Sequence, residues 1–152
     1  MNLEKIFRKF YIILFLSFHF ICKAVDIEES NMRIIEVIIK NEHYKVELED
    51  NRSADIFLER LPLKIKVKEL NGNEKYGIIS KKIPSDRSYS GNIEVGDLML
   101  YGDDCIVLFY KSFYTPYSYT KLGRIVEKDR LQKNISEADY NLEIIFTKYI
   151  KN

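Results

Sequence analysis

The 152-residue chain carries 24 Lys and Arg against 23 Asp and Glu, a net charge of +1, and is 46% apolar with six Gly and three Pro. That length suits one domain, and the composition argues against disorder, collagen-like repeats and low-complexity linkers. The balanced charge gives no electrostatic case for nucleic acid, and two Cys cannot build a disulfide scaffold.

The chain opens on basic residues Lys5, Arg8 and Lys9, followed by the mainly apolar run Phe10–Ile21. The run is too short for a membrane-spanning helix, which needs about 20 apolar residues, and fits a signal-peptide core. Residues 1–24 are therefore expected to be a signal peptide cleaved near Ala24, which exports the protein to the periplasm or the extracellular space. Lipid attachment at Cys22 is disfavoured by the bulky Ile21 before it. The membrane is met only through this segment. Its removal leaves a slight acidic excess, with Cys105 and His43 the last of their kinds. One Cys and one His do not make a structural zinc site, and neither a metal nor a cofactor is expected.

Residues 25–31 are a polar spacer. From Met32 the chain turns strand-like. Arg33–Ile39 is β-branched, Asn41–His43 suits a hairpin turn, and Tyr44, Val46 and Leu48 alternate with charged residues. Asn51 or Ser53 can cap a helix that presents Ala54, Phe57, Leu58 and Leu61 and stops before Pro62. Leu63, Ile65 and Val67 alternate with Lys64, Lys66 and Lys68, a basic strip that reads as the wet face of a sheet. A turn at Asn71–Asn73 leads to a strand over Tyr76–Ser80, and Ile83–Asn92 is the longest polar loop. Asp97–Tyr101 and Cys105–Tyr110 form two strands around Gly102. The second is apolar on both faces and should be buried on both. Leu122–Val126 is a seventh strand, Asp129–Lys133 one helical turn, and Leu142, Ile144 and Phe146 mark a last strand. Eight short strands without a βαβ rhythm imply an antiparallel sandwich or a closed barrel. Tyr44, Val46, Leu48, Ile65, Val67, Leu108, Ile144 and Phe146 are expected to share one core.

Several strings recur in order: Asn51-Arg52-Ser53-Ala54, Leu61-Pro62-Leu63, Asn71-Gly72-Asn73-Glu74-Lys75-Tyr76, Val95-Gly96-Asp97-Leu98-Met99-Leu100-Tyr101, Ile106-Val107-Leu108-Phe109-Tyr110 and Lys121-Leu122-Gly123-Arg124-Ile125. The set resembles the small bacterial cyclophilin-like domain family over roughly residues 32–148. The resemblance implies a mainly β fold: a closed antiparallel barrel of about eight strands with one or two short helices. It would occupy residues 32–150, after the signal segment and spacer. A fold does not bring an activity with it. The Phe-Met-x-Gln-Gly-Gly-Asp signature of true cyclophilins has no counterpart here, since Gly96-Asp97 follows Glu94-Val95 and the chain has no Trp.

The densest chemical feature is aromatic. Phe109, Tyr110, Phe113, Tyr114, Tyr117 and Tyr119 crowd one short stretch, against 13% aromatics for the chain. The first two end a strand and the other four are expected on the following loop. That loop either plugs a barrel end or lines a ligand cleft. Arg124 is expected to share a strand face with Leu122 and Val126, where it either anchors a ligand carboxylate or forms an internal ion pair with Asp97 or Glu74. The ion pair is favoured because buried charges are normally paired. His43 reads as an exposed turn residue and Cys105 as a small core residue. The expected ligand-binding set is Tyr117, Tyr119, Phe113 and Arg124, with Tyr101 outlying, and no catalytic residue is assigned. The function expected is an exported cyclophilin-like binding module that holds a small molecule or peptide in an aromatic-lined cleft. The alternatives are a peptidyl-prolyl isomerase, against which the absent signature weighs, and an interaction protein of the cell envelope.

Overall fold

A computed structural model describes residues 33–150 of the chain. The expected signal peptide, residues 1–24, the spacer, 25–31, and the first residue of the expected domain lie outside the described residues. The elements are β1 (Ile34–Ile39), β2 (Glu42–Leu48), α1 (Arg52–Glu59), β3 (Leu63–Leu70), β4 (Glu74–Ile78), β5 (Tyr89–Ile93), β6 (Asp97–Tyr101), β7 (Cys105–Phe109), β8 (Phe113–Ile125), α2 (Lys128–Asn134) and β9 (Asn141–Lys148).

The fold is mainly β, as expected, and its strand pairs are antiparallel. Eight strands run in the order β2-β1-β9-β3-β4-β7-β6-β8. The sheet then closes on itself, because β2 also pairs with β8 through Val46↔Ile125, Glu47↔Arg124 and Leu48↔Gly123. At this seam a Cβ on residue 123 would collide with the carbonyl oxygen of Glu47, so glycine lets the two backbones meet. β5 lies outside the ring, paired with β8 alone.

Local chemistry sets the turns. β1 and β2 join through Lys40 and Asn41, both at positive φ (51° and 65°), the two-residue hairpin geometry that matches strand twist. The turn thus falls before His43, which is exposed on β2 with Nδ1 3.1 Å from Glu36 Oε1. Asn51 caps α1 by accepting from the Ala54 N–H at 2.9 Å, and its own amide donates to the Lys121 carbonyl at 2.8 Å.

The eight residues expected to share one core do so: Tyr44, Val46, Leu48, Ile65, Val67, Leu108, Ile144 and Phe146 belong to a single buried cluster inside the ring. The helices add Ala54, Phe57 and Leu131 to it, and the Phe57 ring meets that of Phe146 edge-on at 5.3 Å. Lys64, Lys66 and Lys68 face outward, exposed, with Lys64 Nζ 2.9 Å from Glu143 Oε1.

Two expectations about the second half of the chain are corrected. Residues 113–119 are not a loop but the first part of a 13-residue strand, and the latter part of the expected polar loop is the strand β5 that pairs with it. Phe, Tyr and Thr fit a pleated surface, whereas Tyr-Ser-Gly-Asn-Ile becomes a strand because β8 offers it a ladder. The β5–β8 register shifts between Tyr89 and Gly91, and Gly91 sits at φ 116° there.

Phe146→Ala should cost about 3–5 kcal/mol of stability in a denaturant titration, the range for a fully buried Phe. A loss below about 1 kcal/mol would contradict its place in the core.

Candidate functional site

Side-chain alternation divides β6 and β7 between two environments. Leu98, Leu100, Ile106 and Leu108 point into the ring, while Met99, Val107 and Phe109 belong to a second buried cluster with Ile93 and Tyr119. Strand β7 is therefore buried on both faces, as its sequence implies. The layer that covers its outer face is the ribbon of β5 and the first part of β8, which leaves the ring to pair with β5.

Between this ribbon and the outer face of the ring lies an open cleft of about 540 Å³. Its ring side is formed by Glu74 and Tyr76 of β4, Tyr101 at the end of β6, and Cys105 and Val107 of β7. Its ribbon side is Phe113–Tyr117 and Tyr119, and Leu70 and Asn71 edge it from the β3–β4 turn. The rings form a contiguous series. Tyr117 meets Tyr101 edge-on at 6.4 Å, and Tyr101 lies 5.5 Å from Tyr119. Tyr119 meets Phe109 edge-on at 5.5 Å, and Phe109 lies 5.5 Å from Phe113. Phe109 is fully buried behind the cleft, while Tyr114 and Tyr117 stand at its mouth, 73% and 61% exposed.

Four of the five residues expected at the site, Tyr117, Tyr119, Phe113 and Tyr101, line this cleft; Arg124 does not. The correction has a local cause. Leu98 pairs with Gly123 and Met99 with Lys121, so Leu122 is an extra residue in β8. This bulge shifts the alternation by one: Leu122 turns into the core, and Arg124 turns to face Asp97. Val126 lies past the end of the strand. The Arg124 Nε donates to Asp97 Oδ1 at 2.5 Å, and its Nη1 lies 3.0 Å from Glu94 Oε2. Asp97, fully buried, also accepts from the Glu94 N–H at 2.9 Å. The charge is thus spent on the internal ion pair.

The charged residue of the cleft, among the described residues, is Glu74, outside the expected set. It is 7% exposed, and among the described residues no hydrogen bond or ion pair reaches its carboxyl group. Burial, with Glu69 adding its charge, pushes its pKa from the ordinary 4.5 to about 7. Next to it in sequence, Lys75 points the other way and is fully buried. Its ammonium donates to Glu69 Oε2 and to the carbonyls of Ser136 and Asp139, both at 2.8 Å, so all three protons are used. Burial likewise pushes the Cys105 thiol up to about 11, with Asp104 and Glu74 contributing, so it is no nucleophile at neutral pH. Burial and the nearby Glu74 push the Tyr119 phenol up to about 12. Among the described residues no cluster of His, Cys, Asp or Glu is arranged to hold a metal ion.

With fold and cleft in view, the class of the protein follows from comparison. A model of the cyclophilin-like family matches residues 37–147, and the chain belongs to that family. No curated protein sequence matches it. Among solved structures, McbB in complex with tryptophan is similar with a TM-score of 0.53 at 14% identity, over 78% of this chain and 45% of that one. This chain thus spans less than half the length of McbB. The hypothetical protein AF2241 from Archaeoglobus fulgidus is similar with a TM-score of 0.49 at 17% identity, over 78% of this chain and 95% of that one. At 14% identity the likeness to McbB is one of fold.

Glu74 gives the cleft a pH signature. Below pH 4.5 the residue is protonated in both the folded and the unfolded chain and costs nothing. From there to about pH 7 the unfolded chain ionises first, so folding loses stability, and above that the full cost stands. Glu74→Gln should therefore stabilise the fold at pH 8, by about 3 kcal/mol at about 1.4 kcal/mol per pH unit. The gain should vanish near pH 4. Equal effects at both pH values in chemical denaturation would contradict the burial of this carboxyl group.

Proposed function

We propose that this domain is a binding module that takes a small ligand, or one side chain of a peptide, into the aromatic cleft. The observation that carries the reading is the pairing of an open cleft walled by contiguous rings with the carboxyl group of Glu74, which among the described residues has no hydrogen-bond or ion-pair partner. Binding pockets are concave, mainly apolar and furnished with few polar groups, and this cleft has that composition. The rings at its mouth are offered to solvent at low entropy cost, since Tyr has few rotatable bonds. The ribbon does serve to cover Val107 and Phe109, but the cleft beside it is open, so the same strand does both.

We also infer export. The basic start at Lys5, Arg8 and Lys9 and the apolar run Phe10–Ile21 support it. The intact mass of the protein recovered outside the cytoplasm should correspond to a chain that begins at or near Val25. A full-length cytosolic protein as the main species would contradict this, and a lipidated Cys22 would make it a lipoprotein.

The two ring environments separate binding from folding. Tyr117→Ala should weaken binding of a neutral ring probe, 2-phenylethanol, several-fold by NMR shift titration. It should change stability by less than about 1 kcal/mol, as expected for an exposed side chain. Phe109→Ala should cost about 3–5 kcal/mol of stability. Comparable destabilisation by both variants, with no binding of the probe, would make the ribbon a cover and nothing more.

A further inference from the structure

We infer that the ligand of this cleft is a cationic amine with an aromatic or apolar body, held by Glu74 and the tyrosine rings. The inference rests on the binding-module reading and specifies the chemistry of the ligand. It reverses the polarity of the alternative the sequence offers for Arg124, a ligand carboxylate anchored by the guanidinium.

Three observations carry it. Among the described residues the lining contains one acidic side chain, Glu74, and no Lys, Arg or His. Lys75 turns away into its own three acceptors, Arg124 is bound to Asp97 and Glu94, and Lys68, opposite Tyr76 on β3, stands exposed to solvent outside the lining. Nothing in the lining can therefore neutralise a ligand carboxylate. Further, Glu74 is 7% exposed as a residue and its side chain lines the cleft, and among the described residues no hydrogen bond or ion pair reaches its carboxyl group, so a bound cation would offset its desolvation. Finally, ring faces attract cations through their quadrupole, and Tyr76, Tyr101, Tyr117 and Tyr119 all border the same space as Glu74. Rings alone would accept any flat apolar group. Rings with one unpaired carboxyl group select a cation that carries such a group, and they reject its anionic analogue, which would meet Glu74 with like charge.

The test compares three probes of nearly equal shape on the domain at pH 8: phenethylamine, 2-phenylethanol and 3-phenylpropionate. Affinities are read from NMR shift titrations of cleft amides. Phenethylamine should bind at least tenfold more tightly than 2-phenylethanol, and 3-phenylpropionate most weakly. Glu74→Gln should reduce the preference for the amine over the alcohol to within about twofold. Lys64→Gln, on the far exposed strip, should alter none of the three. Equal affinity for amine and alcohol, or tighter binding of the carboxylate, overturns the cation assignment. If those probes still lose affinity in Tyr117→Ala, the cleft itself stands as a binding site. Absence of binding by all three overturns the binding reading as well. Should Glu74→Gln fail to fold, the ranking of the three probes on the native protein decides the matter alone.

Discussion

The architecture turns on strand β7, which buries side chains on both faces. Ile106 and Leu108 complete the interior of the ring, and Val107 and Phe109 face away from it. An apolar outer face on a closed sheet must itself be covered. The cover is drawn from the neighbouring strand: β8 continues past the ring, pairs with β5 and lies across β6 and β7. The cover is narrower than the face beneath it. Where it stops, toward β4, the outer face is left as a cleft with aromatic walls. The site is thus a by-product of how the second layer is made, with its walls fixed by packing.

Charge placement follows from the same layering. Adjacent residues of a strand point to opposite faces, so once Lys75 is locked by Glu69 and the carbonyls of Ser136 and Asp139, Glu74 must point outward beneath the ribbon. Lys75 has all its protons satisfied, whereas no hydrogen bond or ion pair reaches the Glu74 carboxyl group among the described residues. On β8 the bulge at Leu122 does the converse for Arg124. It carries the guanidinium to Asp97, where the charge is neutralised inside the protein. One face keeps its ion pair, and the other keeps an unpaired acid. That asymmetry is what supports the binding reading proposed for the cleft.

Much of this was legible in the sequence, for identifiable reasons. Alternation over Tyr44–Leu48, Leu63–Val67 and Leu142–Phe146 fixes which side chains face the core, because strand period leaves one choice once a face is buried. The unbroken apolar run of Cys105–Tyr110 announces two-sided burial, and the crowding of rings over 109–119 marks the wall of the cleft. What escaped depends on pairing across the chain. Nothing in Tyr-Ser-Gly-Asn-Ile signals a strand until β8 lies beside it. A one-residue bulge at Leu122 leaves no trace in local alternation, yet it decides which way Arg124 points. Glu74, between Asn73 and Lys75, reads in the sequence only as an alternative ion-pair partner for Arg124. Its place on the outer face, opposite Phe109, appears only once β4 is paired with β7.

The central claim is that the cleft holds an unpaired, buried carboxyl group that a bound amine completes, and the carboxyl group can report this itself. A carbon-13 titration of the Glu74 side-chain carboxyl, without and with saturating phenethylamine, is the most direct measurement. The account predicts a pKa near 7 in the free protein and a fall toward the ordinary carboxylate range when the amine is bound, since an adjacent cation favours the ionised form. An ordinary carboxylate value in the free protein, or a raised value that the amine leaves unmoved, would contradict it.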